Sequence, residues 1–350
     1  MNIAKAFKVV IRFAFKTKDE QQPLGFVRFV PAQKVLDGEG TGVEDIIPPR
    51  LVAMNARCGV VVDLDDDVPN TAIQATLLRK VAKEAKSAVI VEETGYGGIE
   101  IRATGARWTV PPEDVLSPDR YPAVPTVPDH WTPIDDVAIR RVVHAAAKPT
   151  ARPELATLNF RPGFVEATDK ARLARANLGG GWNGLLPVEM FQHIGKKEEL
   201  EVCFVPTGAF FRVGEDEVRF ARFVVLPYPN CAAMIPPVHV GGESIVAVDQ
   251  LIRAAKQAAD VSETGSVVVS FAEGRMTLNS WKYEGDPDRF EAVIAAGTRG
   301  EGSLLISGKN LAAALKEIPT PRARLQFARP VDPLRLECGG YVECLWPMLA

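Results

Sequence analysis

The sequence predicts an α+β chain of antiparallel sheets with helices on one face, the scheme running three times over. Three observations carry this. Short amphipathic helical stretches recur along the chain, each followed by runs in which apolar and polar residues alternate. The gaps between those runs have hairpin length, which favours antiparallel pairing. Two proline-rich stretches, 111–133 and 227–237, interrupt the pattern, and repeated prolines support neither a ladder nor a helix. A chain of 350 residues also exceeds the size at which one core keeps growing, about 250–300 residues. The expected division is 1–125, 126–240 and 241–350.

Taken in order, residues 2–18 place Ile3, Phe7, Val10, Ile11, Ala14 and Phe15 at helical spacing, with Lys5, Lys8, Arg12 and Lys16 on another face. Strands follow in GFVRFVP and LVAMNARCGVVVDL, around a Gly/Asp-rich loop at 37–42. A second helix is expected over 71–86, with Thr71 as its N-cap and Ile73, Leu77, Leu78, Val81, Ala82 and Ala85 facing inward. Arg79, Lys80, Lys83 and Lys86 lie off that face. AVIVEE, GIEIRA and ARWTVP read as strands.

The second repeat opens with a helix at 134–148, then ELATLNF, GFVEAT and RLARANL as strands. Pro187 suits the first turn of a short helix over 187–197. ELEVCFVP, AFFRVG and VRFARFVV are strands. In the third repeat Ser244 can cap a helix whose Ile245, Val248, Leu251, Ile252, Ala255 and Ala258 face inward. SVVVSFA, RMTLNSW and RFEAVIAAG follow as strands. A last helix, 309–318, precedes ARLQFA, LRLEC and YVECLWP.

Composition excludes several classes. No apolar run approaches the ~18 residues of a membrane span. Five cysteines with no C-x-x-C spacing, and four scattered histidines, give no metal-site pattern and fit a reducing, cytoplasmic compartment. No G-x-S-x-G, H-E-x-x-H or phosphate-loop motif is present, so no catalytic role and no cofactor is expected. Asp65, Asp66 and Asp67 lack the spacing of a calcium loop and read as a solvated strand end. His144, beside Arg140 and Arg141, reads as a helix-surface residue.

Charge is divided unevenly. The six helical segments carry a net +12 and the remainder −15, within a chain total of −3. Cations clustered on helices bind phosphate backbones without reading bases. Lys5, Lys8, Arg12, Arg79, Lys80, Lys83, Arg140, Arg141, Lys196, Lys197, Arg253 and Lys256 are the candidates. Lysine and arginine are also good helix formers that solvate an outer face, and charge alone leaves both readings open.

The stretch 164–178, FVEATDKARLARANL, resembles the ATD-x-x-RLA signature of the bacterial DNA sliding clamp, the β subunit of DNA polymerase III. LLPVEMFQHI, VVLPYPNCAAMIP and the ending VECLWPMLA follow in the family's order. The resemblance implies three domains, each of two helix-plus-strands units. It implies two copies closing head to tail around double-stranded DNA, with no enzymatic activity. It implies a cleft for short peptides of polymerase and clamp loader. Matched by motif, that cleft would comprise Leu155, Thr168, Lys170, Ala171, Arg172, Leu173, Pro236, Cys344, Trp346, Pro347 and Met348. Lys170 and Ala171 stand where the family usually has Gly-His, and AMNARCGV takes the place of the first domain's ATDLEVG. A clamp-fold interaction scaffold that does not encircle DNA is the alternative.

Overall fold

A computed structural model describes residues 1–14, 25–36, 43–85, 88–148, 152–195, 198–237, 241–282 and 289–348. The fold is α+β with antiparallel pairing throughout the described strands, as the alternation predicts. The chain forms two compact units, 1–134 with 189–223, and 135–188 with 224–350. Among the described residues no helix is long and apolar enough to cross a membrane.

The first unit centres on a nine-stranded sheet. Its middle runs Phe26–Val30, Arg50–Met54, Cys58–Asp63, Glu217–Arg222, Gly208–Val213 and Leu200–Val205. Helices α1 (Ile3–Val10) and α2 (Ala75–Glu84) bury Ile3, Phe7, Val10, Leu78 and Val81. Phe7 meets Phe29 edge to face, with ring centroids 6.0 Å apart. A separate three-stranded sheet comprises Val89–Glu93, Ile99–Ala103 and Ala106–Val110.

The second unit is built on a twelve-stranded sheet. In it Arg172–Asn177 pairs with Tyr341–Leu345, and Gly242–Ala247 lies between Arg322–Phe327 and Arg289–Arg299. Helix α3 (Asp136–Val143) is capped by Asp135, whose carboxylate accepts from the N–H groups of Val137 and Ala138. Helix α4 (Cys231–Met234) is a single turn. Helices α5 (Val248–Val261) and α6 (Gly308–Lys316) carry the remaining apolar faces.

Several local expectations are corrected. Helix α1 ends at Val10, followed by turns to Phe13, and Lys16 lies outside the described residues. Thr71 caps nothing: Thr71–Gln74 is a strand pairing with Phe26–Val30, and α2 starts four residues later. Ser244 likewise sits inside the strand Gly242–Ala247, its hydroxyl 2.9 Å from that of Thr298. In both places β-branched residues find partner strands, and sheet pairing overrides a plausible cap. Pro187 ends the strand Gly184–Pro187, and one 3₁₀ turn, Val188–Phe191, replaces the expected helix. Lys196 and Lys197 fall outside the described residues. The strand Gly302–Ser307 was not anticipated.

His144 is not a helix-surface residue. Its Nε2 lies 3.0 and 3.1 Å from the two carboxylate oxygens of Glu343, which is fully buried. The Tyr341 hydroxyl donates to the same carboxylate. Burial, then the neighbouring Glu343, pushes the Tyr341 hydroxyl well above the usual phenol range, so it stays protonated as a donor. This cluster fastens the end of α3 to the strand Tyr341–Leu345. Leaving a buried carboxylate short of a hydrogen-bond donor costs about 1–3 kcal/mol. His144→Ala should therefore lower stability by about that amount in urea unfolding. His144→Gln, which keeps a donor, should recover part of the loss.

Candidate interaction sites at the sheet junction and on the basic helices

The motif Thr168-Asp169-Lys170-Ala171-Arg172 forms the turn between Phe164–Thr168 and Arg172–Asn177. Asp169 holds it: its Oδ1 accepts from the N–H groups of Ala171 (2.9 Å) and Arg172 (3.0 Å). Thr168 donates from its hydroxyl to the Arg172 carbonyl at 2.7 Å. Arg172 returns Nε to Asp169 Oδ2 at 3.0 Å. The chain end docks here, the Trp346 N–H donating to the Ala171 carbonyl at 2.9 Å, and Leu173 faces Cys344 across the sheet. Pro236 arrives from the proline-rich segment, its carbonyl accepting from Arg335 Nη1 at 2.7 Å. Met348 donates its N–H to the Leu305 carbonyl at 2.8 Å.

All of these residues belong to the second unit, where the bonds and pairing above join Thr168, Ala171, Arg172, Leu173, Cys344 and Trp346, and they differ in burial. Leu155, Thr168, Leu173 and Cys344 are buried and form the base. Arg172, Pro236, Trp346, Pro347 and Met348 are half-buried, and Lys170 is exposed. Sequence reasoning passed over what holds this base. Asn159 donates to the buried Glu166 at 2.7 Å, and Arg175 donates to its other oxygen from Nε (2.9 Å) and Nη2 (2.6 Å). The signal was there: a glutamate at an inward position of an apolar strand needs a charged partner.

On the basic helices Lys5, Lys8, Lys80, Lys83, Arg253 and Lys256 are exposed, and Arg12 is exposed in the turn after α1. Arg79, expected to be exposed, is half-buried and donates from Nη2 to the Ile11 carbonyl at 3.2 Å, joining α2 to the end of α1. Arg140 is ion-paired with Asp136, and Arg141 is half-buried. His193 was also missed. Burial, then the charges of Arg12 and Arg219, hold its imidazole below the usual pKa.

Two predictions arise from this geometry. Lys170 has φ +79°, the left-handed region that costs a side-chain-bearing residue about 1–2 kcal/mol. Glycine there forfeits part of that gain through chain entropy. Lys170→Gly should thus raise stability by about 0.5–1 kcal/mol, read as a higher urea midpoint; a lower midpoint would contradict the strain. Burial also pushes the thiols of Cys58, Cys231 and Cys344 up to about 12. At pH 8 their thiolate fraction is roughly 10⁻⁴, so iodoacetamide should modify the half-exposed Cys203 and Cys338 first. Raising the pH to 9 should not bring the buried three into reaction.

No protein-family model matches this sequence, and no curated protein matches it by sequence. Solved structures do match the fold over the whole chain. A DNA polymerase sliding clamp from Bacillus subtilis superposes with a TM-score of 0.80 at 18% identity, covering 99% of this chain and 97% of that one. A putative DNA polymerase III β subunit from Eubacterium rectale gives 0.79 at 13%, covering 100% and 98%. A sliding clamp from Pseudomonas aeruginosa bound to griselimycin gives 0.77 at 16%, covering 100% and 97%. The chain has the DNA sliding-clamp fold.

Proposed function

We propose that this chain is a processivity clamp. Two copies close head to tail around duplex DNA and tether a DNA polymerase by topology and avidity. The observation that carries this reading is the match to solved clamps from end to end, with 97% or more of each of those chains covered. The fold alone does not specify a charged inner surface, so the exposed cations of α1, α2 and α5 are an independent support. In this reading the chain has three domains, 1–125, 126–240 and 241–350. The first domain of one copy meets the third of the other. Ala106–Val110 fits that contact, because among the described strands it pairs only with Ile99–Ala103 and leaves one edge open.

The turn and tail form the partner site in this proposal. Trp346 and Met348 offer apolar surface, and Arg172 offers guanidinium nitrogens beyond the one Asp169 engages. Clamp loader and polymerase would dock through short peptides with large apolar side chains. Truncating an aromatic anchor costs ~2 kcal/mol of binding or more. Trp346→Ala should weaken a labelled clamp-binding peptide by roughly thirtyfold. Unchanged affinity would place the site elsewhere.

The decisive experiment compares retention on nicked circular DNA, after loading, with retention on the same DNA linearised. The circle should keep the protein and the linear form should lose it from its ends. Equal retention would contradict a ring and favour a scaffold that does not encircle DNA. Lys80→Glu with Lys83→Glu should weaken loading and leave the fold intact, since both side chains are exposed. Arg79 is left out of that pair because its bond to α1 is structural.

A further inference from the structure

The junction that carries the candidate partner site occurs a second time, in the first unit. There Cys58–Asp63 pairs with Glu217–Arg222, as Arg172–Asn177 pairs with Tyr341–Leu345 in the other unit. The turns entering the two junctions have the same length, Met54 opposite Gly59 and Thr168 opposite Leu173. They also share their bonds. Asn55 Oδ1 accepts from the N–H groups of Arg57 (2.8 Å) and Cys58 (3.0 Å), as Asp169 Oδ1 accepts from Ala171 and Arg172. In register, Gly59 faces Phe220 where Leu173 faces Cys344, so Arg222 takes the place of Trp346.

The two junctions differ in how they are filled. Beside the second, Arg335 bonds the Pro236 carbonyl and draws the proline-rich segment down, leaving a cavity of about 20 Å³. Register places Phe210 where Arg335 stands. A phenyl ring donates no such bond. Here the segment carrying Pro122, Ala123 and Pro125 spans a cavity of about 470 Å³. Its apolar lining includes Phe210, Phe220 and Val205, all half-buried. The Phe210 and Phe220 rings lie 6.1 Å apart. Phe220 reaches across Gly59, where a Cβ would collide with the ring. Arg57, fixed by Glu189 at 2.9 Å, and the exposed Arg222 stand at the rim.

We infer that this cavity is a second peptide-binding site, taking a short partner segment that pairs one or two large apolar side chains with a carboxylate. The volume suits such side chains, since ligand pockets run from about 300 to 1,000 Å³. The aromatic pair supplies the apolar contact, and the exposed Arg222 guanidinium selects the carboxylate. A cationic or wholly polar segment would leave both features unused. This inference goes beyond the proposed function: it needs neither a closed ring nor the Trp346 site.

The test uses the full chain and a fluorescein-labelled pentapeptide of two glycines, an aspartate, a leucine and a phenylalanine. Anisotropy titrations are run on Trp346→Ala, which removes the other site. Peptide should still bind this variant. Adding Arg222→Glu, at an exposed rim position, should weaken binding tenfold or more. Adding Ala123→Trp, which fills the cavity from the exposed segment, should do the same. Circular dichroism checks that both retain the fold. Loss of all binding in Trp346→Ala, or binding indifferent to either added change, would overturn the second site. In the first of those outcomes the Trp346 site would still stand.

Discussion

Backbone pairing across two sheet junctions is the constraint on which the rest depends. Cys58–Asp63 has Glu217–Arg222 as its partner, and Arg172–Asn177 has Tyr341–Leu345. Without those pairings four strands would expose rows of unpaired N–H and C=O groups, an invitation to wrong association. Each junction joins segments far apart in sequence. Each is entered by a turn whose first residue, Asn55 or Asp169, folds its side-chain oxygen back onto two amides. The turn fixes register, register decides which side chains face each other, and those choices set the surface beside the junction.

Side-chain chemistry at equivalent positions then separates the two copies. The second junction is tied down by polar and charged groups: His144 on Glu343, Arg175 on Glu166, and Arg335 on the Pro236 carbonyl. The first has an aromatic pair and a glycine in the corresponding sheet. Its buried charges sit further along, where Arg219 donates to Glu217 at 2.5 Å and to the Met190 and Gln192 carbonyls. A repeated backbone thus carries two differently shaped surfaces.

Local pattern was readable where local forces decide. The 3.6-residue spacing of Ile3, Phe7 and Val10 gave α1, and the ATD turn identified its own hairpin. The strands Thr71–Gln74 and Gly242–Ala247 were misread because Thr71 and Ser244 are good caps. Only partner strands remote in sequence make them strand residues. The pairing of His144 with Glu343 spans 199 residues, beyond any local signal. Arg79 shows the same limit for charge. Its position off the apolar face suggested a solvated cation, yet the Ile11 carbonyl lies within its reach. The candidate partner residues were assigned by motif order alone, but which of them keep surface depends on packing. The cavity beside Phe210 followed from a bond that its counterpart Arg335 makes and a phenyl ring cannot.

The division of charge ties fold to proposed function. Exposed lysines and arginines on α1, α2 and α5 sit in a chain whose remaining segments are acidic. In the proposed function such cations would hold a duplex loosely and without regard to sequence, which suits sliding rather than fixed attachment. In that proposal retention comes from closure, and closure needs a second copy. Sedimentation equilibrium of the purified chain in moderate salt addresses this most directly. A mass of twice 38.0 kDa, holding on dilution to the nanomolar range, is the expected result. A stable species of 38.0 kDa at micromolar concentration would contradict the ring.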